Sequence, residues 1–191
     1  MPLQQKGVAE FNEVINHVWD TQFYSDKHGG VVNKHARQNN IVGYQEQVAN
    51  IPRRKGTIVH FDNSPLLKEL LEEKLHTLRT RFDKLILAEG NRYPDGGTRN
   101  HGIRWHGDGE RRLVVAVRCG AVEGARSMPI YYQWYHNTKP IGELIEIPLI
   151  NGDVYVKSEV AVGTDWKSHS KVTLRHATGA YKHTDVPVCR E

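Results

Sequence analysis

Cysteine is almost absent from this chain: Cys119 and Cys189 are the only two in 191 residues. They are too few and too far apart to build a disulfide framework or a cysteine-rich zinc site. Long apolar runs are missing too. None approaches the roughly 18 residues of a membrane span, so no membrane partner is expected. The first residues, "MPLQQKGVAEFNEV", lack the basic region and apolar core of a secretory leader, which reads as an intracellular protein, cytoplasmic or nuclear. No internal repeat, low-complexity tract or linker-like stretch interrupts the sequence. The chain therefore reads as one domain over 1–191, long enough to bury a core and expected as a monomer.

What is present is polar and basic. Hydrophobic residues make up 38% and charged residues 25%, and the formal net charge is +4. That balance suits a soluble folded chain and permits a nucleic-acid partner without requiring one. The basic residues cluster in "IPRRKG" (51–56), "RTRFDK" (79–84) and "ERR" (110–112). Any one cluster is most simply a solvated face. Eleven histidines are many. Most are read as structural or surface residues, His35, His60, His76, His101 and His136 among them, so a metal site must be argued from spacing.

Two segments have helical periodicity. Val8, Phe11, Ile15, Val18 and Trp19 share one face of a helix over 8–19. A second helix starts at Ser64 as N-cap with Pro65 at the first helical position, and Leu67, Leu70, Leu71, Leu75, Leu78 and Phe82 form its apolar face. Between them, "YSDKHGGVVNKHARQNNIVGY" reads as loop and short strand. From 85 onward the texture changes. "KLILAEGNRY", "RRLVVAVRCG", "MPIYYQWYH", "ELIEIPLI", "GDVYVKSE" and "KVTLRHATG" read as short strands separated by turn-rich links. Trp134 and the tyrosines of "YYQWYH" fit an alternating strand. Helices first and strands after predict an α+β protein built on a sandwich or barrel, with the helices packed on one sheet.

The chemically informative stretch is "IRWHGDGERR" (103–112). At the end of a strand, His106 and Asp108 fall on one face by period-two alternation. With one imidazole from a distant strand they would form a facial triad of two nitrogens and one carboxylate oxygen. Such a triad leaves open positions on Fe(II). Zinc fits less well, since this pattern matches no closed structural zinc site.

At these residues the chain resembles the AlkB-like iron and 2-oxoglutarate dioxygenases. "NRY" (91–93) is similar to the strand that contacts the cosubstrate, here through Asn91 and Tyr93. "IRWHGDGERR" is similar to the family's His-x-Asp-x-acid motif, with Glu110 near the substrate. "RRLVVAVRCGA" is similar to the strand that follows, and "GDVYVKSE" to the Gly-Asp strand leading toward the distal histidine. The likeness covers about residues 33–183 and is strongest at 91–117.

The resemblance implies a double-stranded β-helix, a jelly-roll-like barrel. Residues 1–84 would form a helical, lid-like part, and 85–191 a β-rich catalytic core. It implies Fe(II), 2-oxoglutarate as cosubstrate and dioxygen. The implied activity is oxidative demethylation of alkylated nucleobases in DNA or RNA, as in DNA repair. Arg53, Arg54, Lys55, Arg111 and Arg112 would rim the substrate site against phosphates.

Three readings compete for the distal ligand: His176 of "TLRHATG", which is preferred; His169 of "DWKSH"; or a site that has lost a ligand. Alternation keeps Arg175 and His176 from pointing the same way on a regular strand. The cation for the far carboxylate of 2-oxoglutarate is then Lys182, Arg190, or Arg175 on an irregular strand. The family's paired-arginine signature is not reproduced, since His169 and Lys171 stand where Arg and Asn are expected. Two other function classes stay open. One is a 2-oxoglutarate-dependent hydroxylase of a protein or amino acid. The other is a non-enzymatic basic nucleic-acid-binding domain in which "WHGDGERR" is a surface turn.

Overall fold

A computed structural model describes residues 3–74, 87–97, 99–120 and 128–186. The architecture is mostly β, with a few short helices. The chain divides into two compact units, one of Ala9–Arg92 and one of Met1–Val8 with Tyr93–Glu191.

In the first unit a hairpin of β1 (Gln22–Ser25) and β2 (Gly30–Asn33) precedes a three-stranded sheet. That sheet runs β4 (Ile58–His60), β3 (Gln38–Gly43), β5 (Ala88–Arg92), with β3 parallel to β4 and antiparallel to β5. Val42, Val59, Phe61 and Leu71 form its apolar core, with Tyr44, Leu67 and Ala88 packed against them.

Both predicted helices need correction. Helix α1 spans Leu3–Val14 and does not reach Trp19. After it, Val18 is 66% exposed, and Asp20 pairs with Asn39 in extended backbone. The apolar spacing of Val18 and Trp19 therefore does not mark a helical face. The second helix is α2 (Pro65–Glu69), continued by one π-helical stretch over Leu70–Lys74. Leu75, Leu78 and Phe82 lie outside the described residues. Ser64 makes no side-chain cap bond, because its hydroxyl meets His17 Nε2 at 3.0 Å. The cap is instead the Glu13 carboxylate, which accepts the backbone N–H of Leu66 (2.7 Å) and of Leu67 (3.3 Å). A carboxylate suits these free N–H groups at the positive end of a helix.

The second unit holds the remaining strands: β6 (Gly102–His106), β7 (Val114–Val117), β8 (Ile130–His136), β9 (Lys139–Ile147), β10 (Val154–Lys157) and β11 (Val172–Gly179). A short helix α3 (Glu159–Val162) links β10 to β11, and α4 (Tyr181–Thr184) follows β11. The four-stranded sheet has the order β6-β11-β8-β9, and β7 pairs with β10 separately. All of these pairings are antiparallel and nested, β6 with β11, β7 with β10 and β8 with β9, while β11 also pairs with β8. Among the described residues the sheets do not close into a barrel.

Aromatic and β-branched side chains favour the pleated surface of β8 and β11. Asn137 and Thr138, both at positive φ, make the two-residue turn that joins β8 to β9. Ile130, Tyr132 and Leu149 form the core of this unit, with Tyr155, Ala161 and Leu174 against it. No described helix is long and apolar enough to cross a membrane.

Candidate metal centre

Register brings the two imidazoles together. In the β6–β11 ladder His106 is the direct partner of His176, and their ring centroids are 4.4 Å apart. Asp108 joins them from just beyond β6, where a turn and not strand alternation places it. Two close approaches set that turn. Asp108 N–H donates to Val162 O at 2.9 Å, at the end of α3. Gly107 lies so close to Gly163 that a Cβ would meet its carbonyl oxygen at 2.1 Å, so only glycine fits. Gly163 itself caps α3 at φ +72°.

One ligand atom from each of His106, Asp108 and His176 lies within 4.8 Å of the others. His106 Nε2 is 3.4 Å from Asp108 Oδ1, and His176 Nε2 is 3.7 Å from Asp108 Oδ2. His106 Nδ1 donates to the carbonyls of Arg104 (2.7 Å) and His176 (3.2 Å). That turns Nε2, the atom a metal would take, toward Asp108. The His176 side chain is only 5% exposed. Burial, with the charges of Lys157 and His106, lowers its pKa to about 3, so the imidazole is neutral at physiological pH. Burial alone would raise the Asp108 carboxyl. The hydrogen bond from His106 and the charges of His176 and Lys157 outweigh it and hold the pKa at about 2. Two imidazoles, that of His176 neutral, and an ionised carboxylate thus converge, a donor set that fits a divalent cation of borderline softness.

A fourth group at this cluster was not foreseen from sequence. Lys157, at the end of β10, is buried, and its Nζ donates to His176 Nε2 at 2.9 Å. Burial lowers its pKa to about 8, opposed by the charge of Asp108 and assisted by Arg118 and Arg111. Tyr132 packs its ring 5.9 Å from that of His176, and burial raises its phenol pKa. One signal in the sequence pointed to Lys157. Along "VYVK" the residues alternate, Val154 and Val156 outward and Tyr155 and Lys157 inward, which puts a lysine in an inward position.

The other predicted site residues are dispersed. Arg175 occupies the opposite face of β11 from His176, as alternation requires, with its guanidinium 4.2 Å from the Tyr135 ring and 5.5 Å from the Trp166 ring. Lys182 is exposed on α4 and donates to Asn100 Oδ1 at 2.9 Å. His169 is exposed and meets Asn137 Oδ1 at 3.3 Å, outside the cluster. Arg190 lies outside the described residues. Asn91 belongs to the first unit, on β5, where its Oδ1 accepts from Arg37 Nε at 2.6 Å. Tyr93 follows that strand, and its carbonyl accepts from Gly96 N–H at 2.9 Å.

Glu110 pairs with Arg111 at 3.6 Å, and Arg112 reaches Glu159 at 3.9 Å. Glu110 also lines a cavity of about 390 Å³ with Gly107, Gly109, Asp165, Trp166 and Lys167. In the first unit Arg53 closes a 3-10 turn, while Arg54 pairs with Asp26 and lies 4.7 Å over the Tyr24 ring.

No family model matches the sequence. The chain is 42% identical, over 174 residues, to an uncharacterized protein of Acanthamoeba polyphaga mimivirus. The match covers 90% of this chain and 63% of that protein, so the chain spans less than two thirds of its relative's length.

Proposed function

We propose that the chain is an Fe(II)- and 2-oxoglutarate-dependent dioxygenase of AlkB-like type that demethylates alkylated nucleobases in DNA or RNA. The observation that carries this reading is the convergence of His106, Asp108 and His176 within 4.8 Å. The nested strand pairing supports it. With β6 to β11 taken as the second to seventh strands, pairs 2–7, 3–6 and 4–5 are those of an eight-stranded jelly roll.

When bound, ferrous iron with 2-oxoglutarate and dioxygen supplies the oxidation of an unactivated C–H bond, with succinate and carbon dioxide as coproducts. The protein's part is positional and electrostatic. His106 and His176 would hold the metal through Nε2, which on His176 requires the metal to displace the Lys157 Nζ contact, and Asp108 through a carboxylate oxygen. The carbonyls of Arg104 and His176 fix the His106 ring. Burial keeps His176 neutral and able to bind metal. On an N-methyl substrate, hydroxylation of the methyl carbon gives a hemiaminal that releases formaldehyde.

Exposed basic residues Arg53, Arg54, Lys55 and Arg112 supply charge for phosphates, although Arg54 and Arg112 are already ion-paired. A second reading, hydroxylation of a protein or amino acid, is favoured by one observation. The cavity beside the His-Gly-Asp turn carries Glu110 and Asp165 against Lys167 alone, an acidic lining that suits a cationic side chain better than a phosphate. Succinate formation from 2-oxoglutarate and Fe(II) tests the activity, with wild type giving succinate and His106→Ala and His176→Ala giving none. Equal turnover in all three would overturn it. A methylated oligonucleotide and a lysine-rich peptide, supplied side by side, decide the substrate. Stimulation by the oligonucleotide that weakens with salt supports the first reading, and stimulation by the peptide alone supports the second.

A further inference from the structure

The Ala9–Arg92 unit holds a cavity of about 570 Å³, whose lining lies entirely within that unit and includes no member of the metal cluster. Its volume falls in the range of ligand pockets. Between α1 and β1 the chain gives it His17 and Trp19, whose rings stack with centroids 6.5 Å apart. Trp19 Nε1–H, which can only donate, is buried without a hydrogen-bond partner, and so is His17 Nδ1. His17 Nε2 faces the Asn63 carbonyl at 3.3 Å. That oxygen can only accept, which assigns the ring hydrogen to Nε2 and leaves Nδ1 an acceptor. The wall thus carries one unmatched donor and one unmatched acceptor, two residues apart in the chain. Buried polar groups are rarely left so. A peptide backbone offers the complement of both, a carbonyl for the indole and an N–H for the imidazole.

The rest of the lining sets the character of that peptide. Its acidic members are Glu13, Asp20 and Glu46. Among the described residues no lysine or arginine lines it, although Arg53, Arg54 and Lys55 follow Ile51 on the adjoining loop. Glu13 is engaged at the start of α2 and Asp20 by Thr57, whereas Glu46 is exposed and has no partner among the described residues. Val18 and Val48 also line the cavity and are largely exposed. A phosphate would meet like charge here, and a polyamine would leave the Trp19 N–H unpaired, since an ammonium accepts nothing. We propose that this cavity docks a basic peptide segment of a partner protein. Its backbone pairs with Trp19 and His17, a lysine or arginine side chain meets Glu46, and apolar side chains cover Val18 and Val48. The inference stands apart from the dioxygenase reading.

Fluorescence anisotropy on the full chain tests this with two labelled, capped peptides, one alternating lysine with valine and the other glutamate with valine. Wild type should bind the lysine peptide at least about 10-fold more tightly, as charge complementarity requires. Trp19→Phe keeps an aromatic ring without the N–H donor and should weaken binding roughly 2- to 10-fold, the worth of one hydrogen bond. Glu46→Lys turns attraction into repulsion and should weaken it roughly 3- to 10-fold, more at low salt than at high. Because Glu46 is exposed and unpartnered, this variant should keep the wild-type melting temperature. Spermine should compete poorly, and a single-stranded oligonucleotide not at all.

The proposal is overturned if the two peptides bind alike, or if neither binds. It is overturned equally if Trp19→Phe or Glu46→Lys retains wild-type affinity. Loss of binding in Glu110→Lys instead would place the peptide in the cavity beside the His-Gly-Asp turn. Displacement by spermine at the peptide's own affinity would make the cavity a site for any cation. Displacement by the oligonucleotide, strengthened in Glu46→Lys, would make it a nucleic-acid surface. Each of these three results defeats the peptide assignment. Mn(II) binding, measured alongside on the same proteins, separates a failure here from a failure of the metal centre.

Discussion

The two units bury polar groups in different ways. Among the described residues of the Ala9–Arg92 unit, the buried polar groups apart from Glu10 are neutral and several fasten loops: Asn40 donates to Val18 O, Thr57 bonds Asp20, and Ser64 meets His17. The core beneath them is apolar, centred on Phe61. In the Tyr93–Glu191 unit the buried groups include Lys157 and His176, which converge on the half-buried Asp108. Burying ionisable groups costs more than burying a leucine, and no loop is fastened by the expense. The difference is that the first interior is apolar with neutral fasteners, while the second gathers ionisable groups at one point.

The contrast can be broken in three ways. The largest effect on stability belongs to the first unit. Phe61→Ala empties a site that is 0% exposed, where the Phe61 ring lies tilted against Tyr44 with centroids 4.8 Å apart. It should cost about 3–5 kcal/mol in urea unfolding, and a loss under 1 kcal/mol would show that this core is not what holds the unit.

A smaller effect belongs to the loop that leads into β6. The Asp95 carboxylate accepts N–H from Gly97 (2.8 Å), Arg99 (3.1 Å) and Asn100 (2.7 Å) and pairs with His101 at 2.8 Å. Burial pulls its pKa up, but these donors prevail and hold it well below the usual 3.8. A depressed folded-state pKa adds stability that is present above the unfolded value and lost as pH falls from there toward the folded value. Wild type should therefore lose melting temperature on acidification below about pH 4, and Asp95→Asn should lose less over that window. At neutral pH that variant should be about 1–3 kcal/mol less stable. Parallel acid profiles for the two proteins would contradict the assignment.

The smallest expected change is the most telling. His176→Leu with Lys157→Met removes both partners of the buried pair and substitutes apolar groups of similar size. Stability should stay within about 1 kcal/mol of wild type or rise, since both halves of the polar contact are gone together. If the double variant instead loses as much as Phe61→Ala, the polar interior is structural and the contrast collapses.

How much of this was legible in sequence follows from the range of each interaction. The six strands read from residue 85 onward are all present, because alternation and β-branched or aromatic content are local signals. His106 and Asp108 were legible as neighbours. Their partner needed a long-range register that places His176 opposite His106, and the opposed directions of Arg175 and His176 along β11 were the usable clue. Lys157 was not found. A lysine in a strand normally reads as solvated, and its inward position follows from the alternation along β10. The first helix was misplaced because the apolar side chain of Val18 faces solvent, which periodicity alone does not reveal. The hairpin β1–β2 was blurred by the glycines of "KHGGVVN", and Glu13 as the α2 cap lay too far away in sequence to be seen.

The central claim is that His106, Asp108 and His176 together bind a metal ion and that His169 does not. Equilibrium titration of the metal-free protein with Fe(II) under anaerobic conditions, or with Mn(II), tests it most directly on wild type, His176→Ala and His169→Ala. The account predicts a single bound ion per chain in wild type and in His169→Ala, with affinity reduced at least about 100-fold in His176→Ala, as loss of one of three ligands implies. Undiminished binding in His176→Ala, or its loss in His169→Ala, would contradict it.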